Sequence, residues 1–270
     1  MTFHGIWGLP FMDLEGSVDA TALPAVHAEI PRGLLEVAPR YTGGSLKWMG
    51  VCAPWVMDDG FKDVNFVLEA MSDEDFVTFC ALGDAKLDPQ TTPRTFGDET
   101  DRPLSRNQER WLEMAHGVYF PWKTCYHFLE NDRWDDKHSG AGKTFAPEAE
   151  AAFPKTLAFL RSLPFREIGR AVLFGVHSND HAPFHRDSEP GSTLSVPQSI
   201  SIYPDARKKL TLASEDGETR LDIDARLFWF NDMDYHGVDA APEFRWSIRV
   251  DGVFEPAWLR DLERRVRRRR

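Results

Sequence analysis

Phe184-His185-Arg186-Asp187, Tyr235-His236-Gly237 and Arg245-Trp246-Ser247 punctuate a segment built from short runs at 171–176, 199–203, 209–212, 219–223, 226–230 and 245–250. Several of these runs alternate apolar with polar residues, as a half-buried strand does. Turn residues separate them at intervals of about eight to fifteen positions. Many short strands with regular turn punctuation predict a sandwich or jelly roll. The mouth of such a barrel is where a small ligand sits. The segment upstream carries helical signals, so the expected class is mainly β with supporting helices, an α+β fold.

Side chains two apart on a strand point to one face, so His185 and Asp187 can reach a single metal ion. His236 follows about fifty residues later, after Phe228-Trp229-Phe230 and the turn-like Asn231-Asp232-Met233-Asp234. Strands distant in sequence pair in a jelly roll, so that interval is no obstacle. Two imidazoles and one carboxylate, with three positions left open, are the ligand set of a non-haem Fe(II) centre. Arg245, Ser247 and Arg249 share the opposite strand face from Trp246, Ile248 and Val250. The competing reading of that run is a surface strand of alternating charge. His177 and His181, in His177-Ser178-Asn179-Asp180-His181, either replace a triad member, contact substrate at the rim, or form a polar loop before the metal strand. Asp232 and Asp234 read as solvated turn carboxylates, and His127 as a packed residue.

Taken together, His185-x-Asp187, His236 and Arg245-x-Ser247 resemble the signature of the Fe(II)/2-oxoglutarate-dependent dioxygenases. The resemblance covers roughly residues 165–256. It implies a double-stranded β-helix core, cupin-like, with Fe(II) on His185, Asp187 and His236, 2-oxoglutarate as cosubstrate, and O2. By position, Arg245 and Ser247 grip the far carboxylate of the cosubstrate, for which a guanidinium fork is suited. Arg249 is a further candidate, for the other carboxylate or for substrate. Tyr203 is a secondary one, since a buried tyrosine hydroxyl more often serves a structural bond. The implied activity is that of an oxidoreductase that hydroxylates an unactivated C–H of a small molecule, amino acid or peptide, releasing succinate and CO2. Family members that halogenate carry a small residue in place of the carboxylate; Asp187 is present, which favours hydroxylation or a related oxidation. Two other readings stay open. One is a cupin-like metalloenzyme, a cosubstrate-free oxygenase or isomerase, that needs no Arg245. The other is a jelly-roll binding module that takes up metal or ligand without consuming O2.

The 270 residues read as a single domain: support and lid loops over 1–164, the strand-rich core over 165–256, and a basic tail over 257–270. Residues 1–45 are rich in Gly and Pro and read as irregular with at most a short strand. A strand is expected at 46–52. Ser72 caps a helix over 73–82, followed by Gly83. Ser105-Arg106-Asn107-Gln108 is a capping box that opens a helix to His116, closed by Gly117. Aromatic runs at 118–122 and 125–129 predict strands, and Pro147 starts a helix broken near Pro154 and ending at Leu163. The loops 84–104 and 131–145 are the expected lids. Trp122, Tyr126 and Trp229 either line an apolar pocket or fill the core.

Composition limits the alternatives. Hydrophobic residues make up 42% and charged residues 28%, which suits a soluble core without disulfides. Cys52, Cys80 and Cys125 are odd in number and lack CxxC spacing, so a reducing, cytoplasmic setting is expected. No apolar run reaches the roughly eighteen residues of a membrane span, and the N-terminus lacks a signal-peptide pattern. The net charge of −11, from 32 Lys and Arg against 43 Asp and Glu, opposes nucleic-acid binding. Arg260, Arg264, Arg265 and 267–270 are a basic exception at the C-terminus, read as a solvated tail or helix end. Ser139-Gly140-Ala141-Gly142-Lys143-Thr144 looks like the end of a phosphate loop. It lacks the earlier glycine, replaced by Lys137, and the preceding buried strand.

Overall fold

The computed structural model describes residues 3–37, 50–53, 64–96, 102–130, 136–191, 195–203 and 207–269. Most of the strand expected at 46–52, and parts of both expected lid loops, lie outside the described residues. The chain begins with strand β1 (Phe11–Asp13) and helix α1 (Leu23–Glu36). β1 is the short strand allowed in the reading of residues 1–45, whereas α1 corrects the irregular reading over 23–36. Leu23, Val26, Ile30 and Gly33 are buried at helical spacing. Pro24 suits the first turn, where its missing N–H is unneeded. Pro31 lies inside the helix and Gly33 close behind it, and this punctuation hides the period from a sequence reading. Gly33 is required by packing: a Cβ there would stand 2.1 Å from a ring carbon of Phe153.

Helices α2 (Val64–Ala70), α3 (Asp73–Ala81) and α4 (Arg106–His116) follow. Ser72 accepts the Asp75 N–H at 3.1 Å, as its capping position predicts. The capping box of α4 is reciprocal: Gln108 N–H donates to Ser105 Oγ at 3.1 Å, and Ser105 N–H donates to Gln108 Oε1 at 2.9 Å. Gly117 ends α4 with φ of 64°. Phe76, Phe79, Phe96, Leu112, Val118 and Phe120 form a core cluster of their own among these helices. The 118–122 run forms only a single bridge, between Tyr119 and Cys52. Strand β2 (Thr124–His127) and helices α5 (Pro147–Ala152) and α6 (Pro154–Ser162) complete this half, with the break falling at Phe153.

The remaining strands are β3 (Phe165–Val176), β4 (Ala182–His185), β5 (Ser199–Ile202), β6 (Thr211–Ala213), β7 (Arg220–Asp222), β8 (Leu227–Phe230), β9 (Tyr235–Val238) and β10 (Arg245–Phe254). They build two antiparallel sheets, a six-stranded one ordered β1-β8-β5-β10-β3-β2 and a four-stranded one ordered β4-β9-β6-β7. One face of the larger sheet carries Leu173, Ile200, Ile202, Trp229, Trp246, Ile248 and Val250 into a core shared with α1, α5 and α6. Burying side chains of this size stabilises by about 1.5–3 kcal/mol each. The other face meets the smaller sheet through Val176, Tyr203, Phe228 and Phe230 against Ala182, Leu212 and Val238. β10 is therefore buried on both faces, which overturns the surface-strand reading of 245–250.

The basic tail is a helix, α7 (Pro256–Arg269). Leu262 and Val266 enter the larger core, and Trp258 Nε1 donates to the Ser17 carbonyl at 3.0 Å. Exposed arginines pair within the helix, Arg265 with Asp261 and Arg267 with Glu263, both at 2.6 Å. Among the described residues, the three cysteines are free thiols. No helix there is long and apolar enough to cross a membrane.

Candidate metal centre

His185 is the last residue of β4 and pairs directly across the ladder with His236 of β9. Their ring centroids are 4.4 Å apart. Each Nδ1 lies 2.9 Å from a backbone carbonyl, His185 from Pro183 O and His236 from Asp234 O. A carbonyl only accepts, so each Nδ1 carries the hydrogen and each Nε2 keeps a lone pair for a metal. Asp187 lies two residues beyond the end of β4 rather than on the strand face. Its N–H donates to the Asp232 carbonyl at 2.9 Å, which turns it back toward the histidines. Asp187 Oδ1 is 3.4 Å from His185 Nε2 and 3.7 Å from His236 Nε2. The three ligand atoms lie within 4.8 Å of one another, a spacing that one first-row ion bridges once the side chains draw in.

The charge states suit that use. Burial, then the neighbouring His185, pushes His236 down to about 4, so it is neutral near pH 7. Desolvation pushes the Asp187 carboxyl up. The neighbouring His185, then the Arg249 guanidinium, outweigh it and hold the carboxyl well below the usual range. A neutral imidazole at His236 and an ionised carboxylate at Asp187 are forms that bind metal.

The triad opens on a cavity of about 560 Å³. Ser201, Tyr203, Ser247 and Arg249 line it from the larger sheet, and Trp122, Phe174, Leu210 and Val238 give it an apolar wall. Trp122 packs on Phe174 with centroids 5.1 Å apart. Tyr126 and Trp229 instead fill the core beneath the helices. The described part of the 131–145 loop contributes Lys137; the described part of 84–104 lines none of the cavity. The phosphate-loop lookalike is a loop here: Lys143 Nζ donates to the Gly169 carbonyl at 2.8 Å.

Arg249 is held by three carboxylates. Nη1 donates to Asp187 Oδ2 at 2.8 Å, Nη2 to Asp232 Oδ2 at 2.7 Å, and Nε to Asp251 Oδ1 at 3.0 Å. Arg170 grips Asp251 Oδ2 at 2.7 Å, and Lys137 reaches Asp232 Oδ2 at 3.3 Å. Asp232 and Asp234 are thus not solvated: both are buried, and Asp234 accepts the His4 and Gly5 N–H groups at 2.6 and 2.8 Å. Arg245 differs. It is 3% exposed, its guanidinium carbon lies 3.8 Å from the Tyr203 ring centroid, and Nε and Nη2 have no hydrogen-bond partner among the described residues. Burial pushes this guanidinium below its usual range, and Tyr203 offsets part of that.

His177 and His181 do not join the triad. His177 Nε2 is 3.0 Å from Thr124 Oγ1, and His181 stacks on Tyr119 with centroids 4.7 Å apart. Sequence reasoning missed Lys137, Arg170, Asp232 and Asp251 as parts of the site. Arg170 and Asp251 are opposite each other in the β3–β10 register, a signal readable only once that pairing is known.

No protein-family model matches the chain, and no curated protein sequence matches it. Solved structures similar to it include an oxidoreductase of the 2OG-Fe(II) oxygenase family from Burkholderia pseudomallei. It is 12% identical over 47% of this chain and just under two thirds (66%) of that one, with a TM-score of 0.31. A Pseudomonas putida prolyl-4-hydroxylase matches at 14% identity over 47% of this chain and 71% of that one, TM-score 0.28. A cupin domain from Bordetella pertussis matches at 6% identity over 30% and 78%, TM-score 0.23. Scores this low mark a local likeness only.

Proposed function

We propose that this chain is an Fe(II)- and 2-oxoglutarate-dependent dioxygenase that hydroxylates an unactivated C–H of a small molecule, amino acid or peptide, with release of succinate and CO2. The observation that carries the reading is the convergence of His185, Asp187 and His236 on one cavity. The strand order supports a double-stranded β-helix, cupin-like: β3, β5, β8 and β10 alternate along the chain with β4, β6, β7 and β9 of the facing sheet.

The residues fit the group. Two free Nε2 lone pairs and one carboxylate oxygen form a three-point ligand set that leaves positions open. Arg245, buried with unpaired N–H groups, is a receptor for a carboxylate. Together with Ser247 and Tyr203 it is the proposed holder of the far carboxylate of 2-oxoglutarate. Bound iron with its cosubstrate would supply O2 activation. The chain's own part is narrower. The carbonyls of Pro183 and Asp234 keep both imidazoles in one tautomer. The apolar wall of Trp122, Phe174, Leu210 and Val238 holds the substrate's carbon skeleton and excludes water.

One observation favours the reading without 2-oxoglutarate: Arg245 is not among the residues lining the cavity. An anaerobic titration separates the two. Purified metal-free protein receives Fe(II), then 2-oxoglutarate, and the visible spectrum is followed for the weak charge-transfer band of the chelate. The expected result is a band that is lost in His236→Ala and in Arg245→Ala. Fe(II) binding with no band returns the cosubstrate-free metalloenzyme; absence of Fe(II) binding ends both readings.

A further inference from the structure

We propose that Arg249 is a positioning residue that fixes one carboxylate oxygen of Asp187 and so aims the other at the metal. The inference rests on the metal-site reading above. It reassigns Arg249, which the sequence offers as a contact to cosubstrate or substrate.

Every edge of the guanidinium is committed. Nε holds Asp251, Nη2 holds Asp232 and Nη1 holds Asp187 Oδ2. The anchors are themselves anchored: Arg170 donates to Asp251 through Nε at 2.8 Å, and Lys137 reaches Asp232. The fork therefore cannot swing toward a ligand without breaking buried ion pairs. Asp187 is also tied through its backbone N–H to the Asp232 carbonyl, so one residue, Asp232, fixes both the main chain of Asp187 and the arginine that holds its side chain. With Oδ2 taken, only Oδ1 faces the two Nε2 atoms, at 3.4 and 3.7 Å. A carboxylate restrained in this way binds metal through one oxygen. A free one can rotate, chelate through both and close a coordination position that the chemistry needs open. Partners behind a ligand commonly control its orientation.

Electrostatics alone points the other way. A cation next to a metal site repels the metal, so deleting Arg249 should tighten binding if charge were its only effect. The charges of Arg249, Arg170 and Lys137 balance those of Asp187, Asp232 and Asp251, so the arginine is tolerated there without favouring metal. The sign of the change in affinity thus tells positioning from charge.

The test uses the full chain with Co(II), whose visible d–d absorption reports coordination number. Arg249→Lys keeps the charge and loses the fork; Arg249→Met loses both. Folding of each variant is checked by circular dichroism and a cooperative melt. Positioning predicts Co(II) affinity about 10–100-fold weaker in both, with an altered d–d band that Lys does not restore. Unchanged or tighter binding with the wild-type spectrum overturns the proposal. Asp232→Asn decides if the Arg249 variants do not fold, because it is isosteric and keeps the backbone carbonyl that holds Asp187. Weaker binding with a changed spectrum supports positioning, and wild-type behaviour overturns it. Failure of the wild-type protein to bind Co(II) instead removes the metal site itself, and the proposal with it.

Discussion

Arg245 and Arg249 lie four residues apart on one face of β10, and both are nearly inaccessible to solvent. Their surroundings are opposite. Arg249 has a carboxylate on each edge of its guanidinium. Arg245 has a tyrosine ring against its plane and two N–H groups with no partner among the described residues. A buried charge without a counter-charge is costly. The first arginine has its electrostatic needs met inside the fold, and the second does not. Identical residues on one strand face thus meet opposite surroundings: one fork is held by its neighbours, and the other keeps donors that the proposed cosubstrate carboxylate would fill.

The largest expected effect tests the saturated member. Arg249→Met leaves Asp187, Asp232 and Asp251 without their shared cation and should destabilise the protein by about 3–5 kcal/mol, read by urea unfolding. Arg245→Met in the ligand-free protein should be neutral or stabilising, because it removes a buried charge that the Tyr203 ring offsets only in part. A loss for Arg245→Met as large as that for Arg249→Met would erase the distinction. The same variant should lose most of its 2-oxoglutarate affinity, at least tenfold by isothermal titration with Co(II) present, for want of the charge-assisted bonds. Affinity equal to wild type would move the cosubstrate site elsewhere.

Tyr203 sharpens the contrast at a smaller scale. Replacing its ring with Leu removes the cation–π contact to Arg245 and should cost about 1–2 kcal/mol, whereas Tyr203→Phe keeps the ring and should cost less. Equal losses in the two variants would assign the effect to the hydroxyl instead. The smallest effect is set by an exposed arginine. Arg267→Ala on α7 breaks a solvent-screened pair with Glu263 and should shift stability by no more than about 0.5 kcal/mol. A larger shift would mean that the basic helix has an interaction besides its own i,i+4 pairs.

Local signals were the ones legible in sequence. Ser72 and the Ser105–Gln108 box placed α3 and α4 because capping acts over three residues. The short runs placed β5, β6, β7 and β8 to within two positions, and found the end of β3 and the start of β10, since strand period is a property of neighbours; β9 was expected only as the distant strand that carries His236. α1 was missed because Pro31 and Gly33 interrupt an otherwise helical spacing, and packing against Phe153 overrides that local penalty. α7 read as a solvated tail or helix end because its arginines outnumber the apolar residues that tie it to the core, Leu262 and Val266. Asp232 read as a solvated turn because nothing nearby in sequence announces the Arg249 and Lys137 that bury its charge.

Sequence by itself determined which side chains can ligate a metal here, and that a His-x-Asp and a later histidine occur in a strand-rich segment. Residue chemistry and short spacings carry that information. Only the tertiary structure decided that Asp187 leaves the strand and is turned back by Asp232. It alone decided that Lys137 arrives from a distant loop, and that Arg249 rather than Arg245 is surrounded by acids. Coulomb energy and hydrogen-bond geometry depend on distance in space, and these partners are separated by as many as 95 positions along the chain.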